Sequence, residues 1–86
     1  MWKSYSTLQA IKDSKKISNT KLTKKVKLLL DTIKTNPYTP TPPYEKLVGD
    51  LKGAYSRRIN FQHRLIYQIY DQEKAIKVIR MWTHYE

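Results

Sequence analysis

Few side chains in this sequence could act as a general acid or base near neutral pH. Histidine occurs only at His63 and His84, and seven Asp or Glu residues stand against 17 Lys or Arg. A carboxylate, an imidazole and a guanidinium together suffice for one reaction that needs no metal, the attack of an RNA 2′-hydroxyl on its neighbouring phosphorus. The base removes the hydroxyl proton, the acid protonates the departing 5′ oxygen, and the cation stabilises the phosphoryl charge.

The carboxylates that remain as candidates for the acid and base roles are Glu45 and Glu86, and the histidine is His84. Glu45 and His84 each also have an ordinary structural explanation. Glu45 follows a proline-rich segment, so it could project over a sheet or be an acid in a surface turn. His84 follows the last strand candidate and could be an idle terminal residue. His63 lies at the start of a strand candidate, and we interpret it as structural.

Several other chemistries lack the residues that they require. The sequence has no Cys, which removes thiolate catalysis and disulfides and fits a reducing compartment. Two histidines without a metal-ligand spacing argue against a zinc site, and no glycine-rich phosphate loop is present. We therefore expect no metal and no cofactor. With no apolar run of membrane-spanning length and no signal-peptide pattern, we expect a cytoplasmic protein without a membrane role.

The formal net charge of +10 favours an anionic partner, namely nucleic acid, an anionic membrane surface or an acidic protein. Residues 1–43 carry nine lysines against two acids, whereas all four arginines lie in residues 44–86. Lysine suits long-range attraction, and the planar guanidinium suits fixed contacts to phosphate. Aromatic side chains beside the arginines also suit stacking of unpaired RNA bases. A merely solvated basic surface is the simpler alternative.

The N-terminal half is predicted to form a helical hairpin. Apolar residues recur at helical spacing from Leu22 to Ile33, and Asn36-Pro37 should end this helix. A shorter helix is expected before it, from about Thr7 to Lys16. The candidates for the N-cap of the second helix are Ser18, Asn19 and Thr20. The expected outer face of the hairpin carries Lys21, Lys24, Lys25 and Lys27.

The C-terminal half is predicted to form a small sheet. The segment "NPYTPTPP" is an extended connector, and "YEKLVGDLKGAY", with both glycines, is interpreted as a turn region. The strand candidates are Ala54–Asn60, Arg64–Tyr70 and Ala75–Trp82, with a further edge strand at Trp2–Ser6. Short links predict antiparallel neighbours.

These elements predict a single α+β domain over residues 1–86, with two helices packed on one face of a small twisted antiparallel sheet. Along a strand, alternate residues share a face. The apolar set Leu65, Tyr67 and Ile69 should therefore face the helices. Arg64 should lie on the opposite, open face.

Residues 44–85 closely resemble the YoeB/Txe branch of the RelE-like bacterial toxins. The matching motifs are E-x-L in "YEKL", L-x-G-x-x-S-R-R-I in "LKGAYSRRI", H-R-L-I/V-Y in "HRLIY" and the terminal "HY". The resemblance implies a RelE-like microbial RNase fold and a ribosome-dependent endoribonuclease that cleaves mRNA in the decoding site of the 70S ribosome. Two positions depart from the family pattern. Val48 stands where a basic residue usually follows the leucine of the E-x-L motif, and Glu86 extends the chain past "HY".

The same resemblance implies a role for each matching residue. Glu45 corresponds to the general base, Arg64 to the phosphate-stabilising arginine, His84 to the general acid and Tyr85 to the tyrosine beside the reaction centre. The remaining candidates for RNA and phosphate contacts are Arg58, which matches a second active-site cation, together with Arg57 and Lys46.

The family resemblance also implies partners. An acidic antitoxin of the YefM/Axe kind, disordered alone, would wrap the basic toxin, and operator DNA would be bound only through the toxin–antitoxin complex. A homodimer is a further expectation. Two alternatives remain open from the residues alone: a non-catalytic RelE-like binder of ribosome or DNA, and a basic adaptor for an acidic protein.

Overall fold

The computed structural model describes residues 2–41, 43–49, 53–60 and 63–81. In these ranges two helices pack against a five-stranded sheet, which confirms the predicted α+β class. In chain order the elements are β1 (Lys3–Ser6), α1 (Leu8–Ile17), α2 (Thr23–Thr35), β2 (Tyr44–Lys46), β3 (Ala54–Arg58), β4 (Arg64–Tyr70) and β5 (Ala75–Arg80).

The strands lie side by side in the order β1-β5-β4-β3-β2. The pairs β2–β3, β3–β4 and β4–β5 are antiparallel, as the short links predict. The N-terminal edge strand is also present, but it pairs with β5 in parallel, so the sheet is mixed. The two helices between β1 and β2 carry the chain from one edge of the sheet to the other.

The segment interpreted as a turn region begins with a strand instead. Residues Tyr44–Lys46 form β2, and Glu45 pairs with Ser56 of β3. Turn geometry is found after β2, where Gly49 and Gly53 have φ angles of +73° and +94°. Glycine adopts this left-handed region without the steric cost that a Cβ brings, which explains both glycines.

The two helices begin differently. Thr7 caps α1 by accepting a hydrogen bond from the Ala10 amide at 3.0 Å, and its hydroxyl donates to the Ile79 carbonyl of β5 at 2.8 Å. The predicted cap of α2 is wrong, because its N-cap is Leu22, which makes no side-chain capping bond. The Thr20 hydroxyl accepts from the Leu22 amide at 3.1 Å, so it shapes the turn between the helices.

The main core lies between the helices and one face of the sheet. As predicted, Leu65 and Tyr67 of β4 face the helices and are fully buried there, and Ile69 packs against their edge. The helices contribute the buried side chains Ala10, Ile17, Val26, Leu29 and Ile33. The opposite face carries a smaller apolar cluster of Leu47, Ala54 and Ile66, so part of that face remains available to polar groups.

A buried carboxylate fastens α1 to the end of β5. Asp13 is fully buried, and its Oδ2 accepts hydrogen bonds from Arg80 Nε at 2.8 Å and from the Met81 amide at 3.1 Å. Its Oδ1 accepts from Gln9 Nε2 at 3.1 Å. Asp13 thus fixes the positions of Arg80, the last residue of β5, and of Met81 directly after it.

Neither α1 nor α2 has the length and apolar character needed to cross a lipid bilayer, and the described ranges contain no other α-helix.

Candidate active site

Strand register brings the side chains of Glu45 and Arg64, which have opposite charges, together on the open face of the sheet. Glu45 of β2 pairs with Ser56 of β3, which pairs with Ile66 of β4, two residues beyond Arg64. Arg64 Nη1 lies 3.7 Å from Glu45 Oε1 and 3.4 Å from the buried Ser56 hydroxyl. Because the Glu45 side chain is 66% exposed, its carboxylate can also reach a bound molecule.

This ion pair lies in the wall of a cavity of about 470 Å³. The volume falls in the range of small-molecule sites, roughly 300–1,000 Å³, so a nucleotide-sized group fits. The described residues that line it are Lys25, Pro43, Glu45, Ser56, Arg58, Ile59, Asn60 and Arg64. Three cations therefore face one carboxylate, and the cavity suits an anion.

Arg58 is brought to the cavity by strand alternation. It pairs directly with Arg64 across β3 and β4, on the same face as Glu45. Within the ranges that the structure describes, its guanidinium makes no hydrogen bond or ion pair. An exposed cation without an internal partner is free to bind a phosphate.

Arg57 points to the other face and is fully buried. Its Nε donates to the Tyr67 hydroxyl at 2.8 Å, and its Nη2 donates to the carbonyls of Thr39 at 2.7 Å and Pro37 at 3.1 Å. The guanidinium also stacks 4.9 Å from the ring centre of Tyr44. This placement does not support the expectation of a phosphate contact, since the group is used to hold the connector against the sheet.

Four tyrosines form a cluster next to Arg57. Tyr38 and Tyr44 each meet Tyr55 edge-on, and Tyr55 stacks on Tyr67 with ring centres 6.0 Å apart. Burial raises the pKa of Tyr67, although the hydrogen bond from Arg57 acts in the opposite direction. These rings form an aromatic extension of the core on the helical face, away from the cavity.

Lys46 and His63 are not among the described residues that line the cavity. Lys46 is exposed on β2 but pairs with Tyr55, which puts it on the face opposite to Glu45. His63 belongs to the turn between β3 and β4, where its carbonyl accepts from the Ile59 amide at 2.9 Å. This position agrees with the structural interpretation of His63.

Sequence comparison supplies the family. The model for YoeB-like toxins of bacterial type II toxin–antitoxin systems matches residues 2–85. This chain belongs to that family. The match includes the helical half as well as the motif-bearing half, and the chain is therefore a YoeB/RelE-type toxin.

Individual relatives agree with this assignment. Toxin YoeB of Synechocystis sp. is 39% identical over 66 residues, covering 77% of this chain and 74% of the relative. A YoeB/ParE toxin from Agrobacterium tumefaciens superposes with a TM-score of 0.87 at 29% identity, covering 96% and 99% of the two chains. A YoeB–YefM complex from Staphylococcus aureus gives 0.82 at 36% identity, covering 99% of each.

The other two residues assigned by resemblance to the YoeB branch, His84 and Tyr85, lie outside the described residues. Their roles stay predictions. The described chain ends at Met81, whose amide is held by Asp13.

Three polar residues that line the cavity are not among the predicted site residues. Ser56 and Asn60 are ordinary polar residues of a strand and a turn, and nothing in their local pattern marks them. Lys25 was expected on the outer face of the hairpin, yet it lines the cavity from α2. The sequence feature that could have indicated this is the position of Lys25 at the edge of the apolar stripe, four residues before Leu29.

Proposed function

We propose that this YoeB-family toxin is a ribosome-dependent endoribonuclease that cleaves mRNA in the ribosomal decoding site by attack of a 2′-hydroxyl. The observation that carries the proposal is the exposed Glu45 carboxylate 3.7 Å from the Arg64 guanidinium, at the wall of a cationic cavity of nucleotide size. A base and a phosphate-binding cation at this separation can contact adjacent atoms of one nucleotide.

The reaction transfers the phosphoryl group from the 5′ oxygen to the 2′ oxygen. Glu45 accepts the proton of the 2′-hydroxyl, the O2′–P bond forms, and the P–O5′ bond breaks. Protonated His84 gives its proton to the departing 5′ oxygen, while Arg64 and Arg58 stabilise the negative charge on the phosphoryl oxygens. Tyr85 is assigned a position beside the reaction centre. The products are a 2′,3′-cyclic phosphate and a 5′-hydroxyl end, and no cofactor is needed.

The proposed partners follow from family and charge. A Staphylococcus aureus relative has been solved as a YoeB–YefM complex, and an acidic antitoxin is the corresponding partner for a chain of net charge +10. Such a partner would inhibit cleavage by covering the cationic cavity. Homodimer formation and operator binding through the complex remain predictions.

The direct test maps mRNA breaks in a translating extract. We expect Glu45→Gln and His84→Gln each to lower the cleavage rate by about 10²- to 10⁴-fold, the usual worth of a general base or acid. Arg64→Ala should lower it by roughly 10²- to 10³-fold, the cost of losing one pre-organised charge-stabilising donor. The new ends should carry 2′,3′-cyclic phosphate.

Glu73→Gln provides the matched control, because Glu73 is an exposed acid in the turn between β4 and β5. It should cleave at the parental rate. A thermal unfolding curve of each variant separates loss of chemistry from loss of fold. Parental cleavage by all three active-site variants would overturn the assignment, and binding to ribosomes without any breaks would favour the non-catalytic binder.

A further inference from the structure

Lys25 comes from the helical half of the chain but lines a cavity whose other charged residues belong to the sheet. It belongs to α2, which packs on the helical face of the sheet, yet it lines the cavity of Glu45, Arg58 and Arg64. The residue is exposed, and among the described residues it has neither a hydrogen-bond partner nor an ion-pair partner. Its ammonium group is therefore available to an external anion.

Helical geometry explains how this lysine reaches the cavity. Residues three and four positions apart share a helix face, so Lys25 lies in line with Leu22 and the buried Leu29. It consequently occupies the border between the apolar stripe and solvent. Lys24 lies in line with Leu28, which is 63% exposed, and it does not line the cavity.

The position of Lys25 is electrostatically unfavourable for the helix itself. The first turn of α2 contains Lys24 and Lys25, has no acidic residue and lacks a side-chain cap. Positive side chains at a helix N-terminus are repelled by the helix dipole. Helix stability therefore accounts for neither lysine, and of the two only Lys25 lines the cavity.

The charge of the cavity exceeds what one phosphodiester requires. Lys25, Arg58 and Arg64 supply three positive charges against the one negative charge of Glu45, while a phosphodiester carries a single negative charge. The surplus matches a second phosphate of the same strand. We infer that Lys25 binds the backbone phosphate next to the scissile one, which makes α2 part of the RNA-binding surface. This inference rests on the proposed function.

The test compares two lysine variants that carry the same net charge. Lys25→Gln and Lys24→Gln each lower the formal charge from +10 to +9, so general attraction to RNA falls equally. The ligand is a short single-stranded RNA whose attacking nucleotide is 2′-deoxy, which prevents cleavage. We expect Lys25→Gln to weaken binding by about tenfold and to reduce the slope of log K against log salt by about 0.7, the value for one contact to a single strand. Lys24→Gln should leave that slope unchanged.

Neutral phosphates locate the contact. A methylphosphonate is introduced on either side of the scissile phosphate, one position at a time. With the methylphosphonate at one of these two positions, wild type and Lys25→Gln should bind the RNA with the same affinity. An affinity difference between wild type and Lys25→Gln that persists with each of the two modified RNAs would overturn the inference, as would equal binding by the Lys24 and Lys25 variants.

Two further outcomes separate this inference from its premise. Lys25-dependent binding of the RNA without cleavage in the translating extract would refute the proposed nuclease and leave the phosphate contact standing. Loss of affinity for an acidic peptide, with RNA binding unchanged, would assign Lys25 to a protein partner and refute the inference. Both lysine variants should unfold at or slightly above the parental temperature, because each removes charge from the N-terminus of α2.

Discussion

Adjacent arginines in this toxin have opposite surroundings. Arg57 is fully buried against the aromatic cluster, whereas Arg58 is exposed at the cavity. The reason is the two-residue repeat of a strand, which turns successive side chains to opposite faces. We therefore expect Arg57 to contribute to stability and Arg58 to contribute to activity.

Paired substitutions test this division. Arg57→Met leaves three oxygen acceptors without their donor, namely the Tyr67 hydroxyl and the carbonyls of Pro37 and Thr39. Since each buried unsatisfied polar group costs about 1–3 kcal/mol, we expect a loss on the order of 3 kcal/mol in the free energy of unfolding after partial rearrangement. Urea unfolding measures it.

Arg58→Met is the companion variant. Its unfolding free energy should stay within about 0.5 kcal/mol of the parent, since it changes an exposed side chain. Cleavage in a translating extract should nevertheless fall by about tenfold or more, because one cation near the scissile phosphate is lost. Equal destabilisation by both variants would contradict the division of roles, as would parental cleavage by Arg58→Met.

At the scale of the elements, the strands that hold Arg64 follow directly from the sequence. The observed bounds of β4 are the predicted ones, and its alternation correctly assigned Leu65 and Tyr67 to the core. The same reasoning extended to β3 predicts the burial of Arg57, because it pairs with Leu65. The residue type points the other way, because arginine is generally associated with phosphate.

Two features of the site depend on long-range packing that no local pattern encodes. Strand β2 is only three residues long and follows a proline-rich connector, so it shows no strand periodicity of its own. Its identity comes from pairing with β3. Similarly, Lys25 reaches the cavity only because the first turn of α2 lies near the turn between β3 and β4, which contributes Ile59 and Asn60.

The connector after α2 is fastened to the turn between β4 and β5 by one pH-sensitive contact. The Tyr38 hydroxyl donates to Asp71 Oδ1 at 2.5 Å, and this hydrogen bond, together with desolvation, raises the pKa of Tyr38 to about 12. In the unfolded chain the phenol ionises near its ordinary pKa of 10. The folded protein therefore keeps a proton that the unfolded chain loses between these two values.

The contribution of this contact to stability should accordingly be complete below about pH 10 and should disappear as the pH rises towards about 12. The measurement is the unfolding free energy of wild type minus that of Tyr38→Phe across this interval. Water screens the exposed part of Tyr38, so the change should be modest. Tyr5→Phe serves as control, since Tyr5 is 55% exposed. An identical pH dependence for wild type and both variants would refute the role of the contact.

At the scale of the whole molecule, stability and binding are distributed over different faces. The larger apolar cluster lies between the helices and the sheet, whereas the cavity residues Glu45, Arg58 and Arg64 lie on the opposite face of the sheet. Substitutions of exposed cavity residues therefore remove few core contacts. Activity can be lowered by charge changes at the cavity without a matching loss of the fold.

The same positive charge should act on folding and on binding with opposite signs. The formal net charge is +10, and the molecule measures only 35 × 29 × 26 Å, so many like charges lie within a few Debye lengths of about 8–10 Å. Salt screens this self-repulsion and should stabilise the fold. It should also weaken RNA binding, because counterions released into a more concentrated salt solution gain less entropy.

Sodium chloride titration from about 0.05 to about 0.3 M tests this pair of effects. We expect the unfolding temperature to rise by a few degrees, while the apparent KM for programmed ribosomes increases several-fold. The exposed lysines Lys3 and Lys12 lie outside the cavity, and replacing both with Gln lowers the charge from +10 to +8. That variant should be more stable than the parent at low salt and should gain less from added salt. An unfolding temperature that falls on salt addition would show that favourable ion pairs, rather than self-repulsion, dominate the electrostatics of the folded toxin.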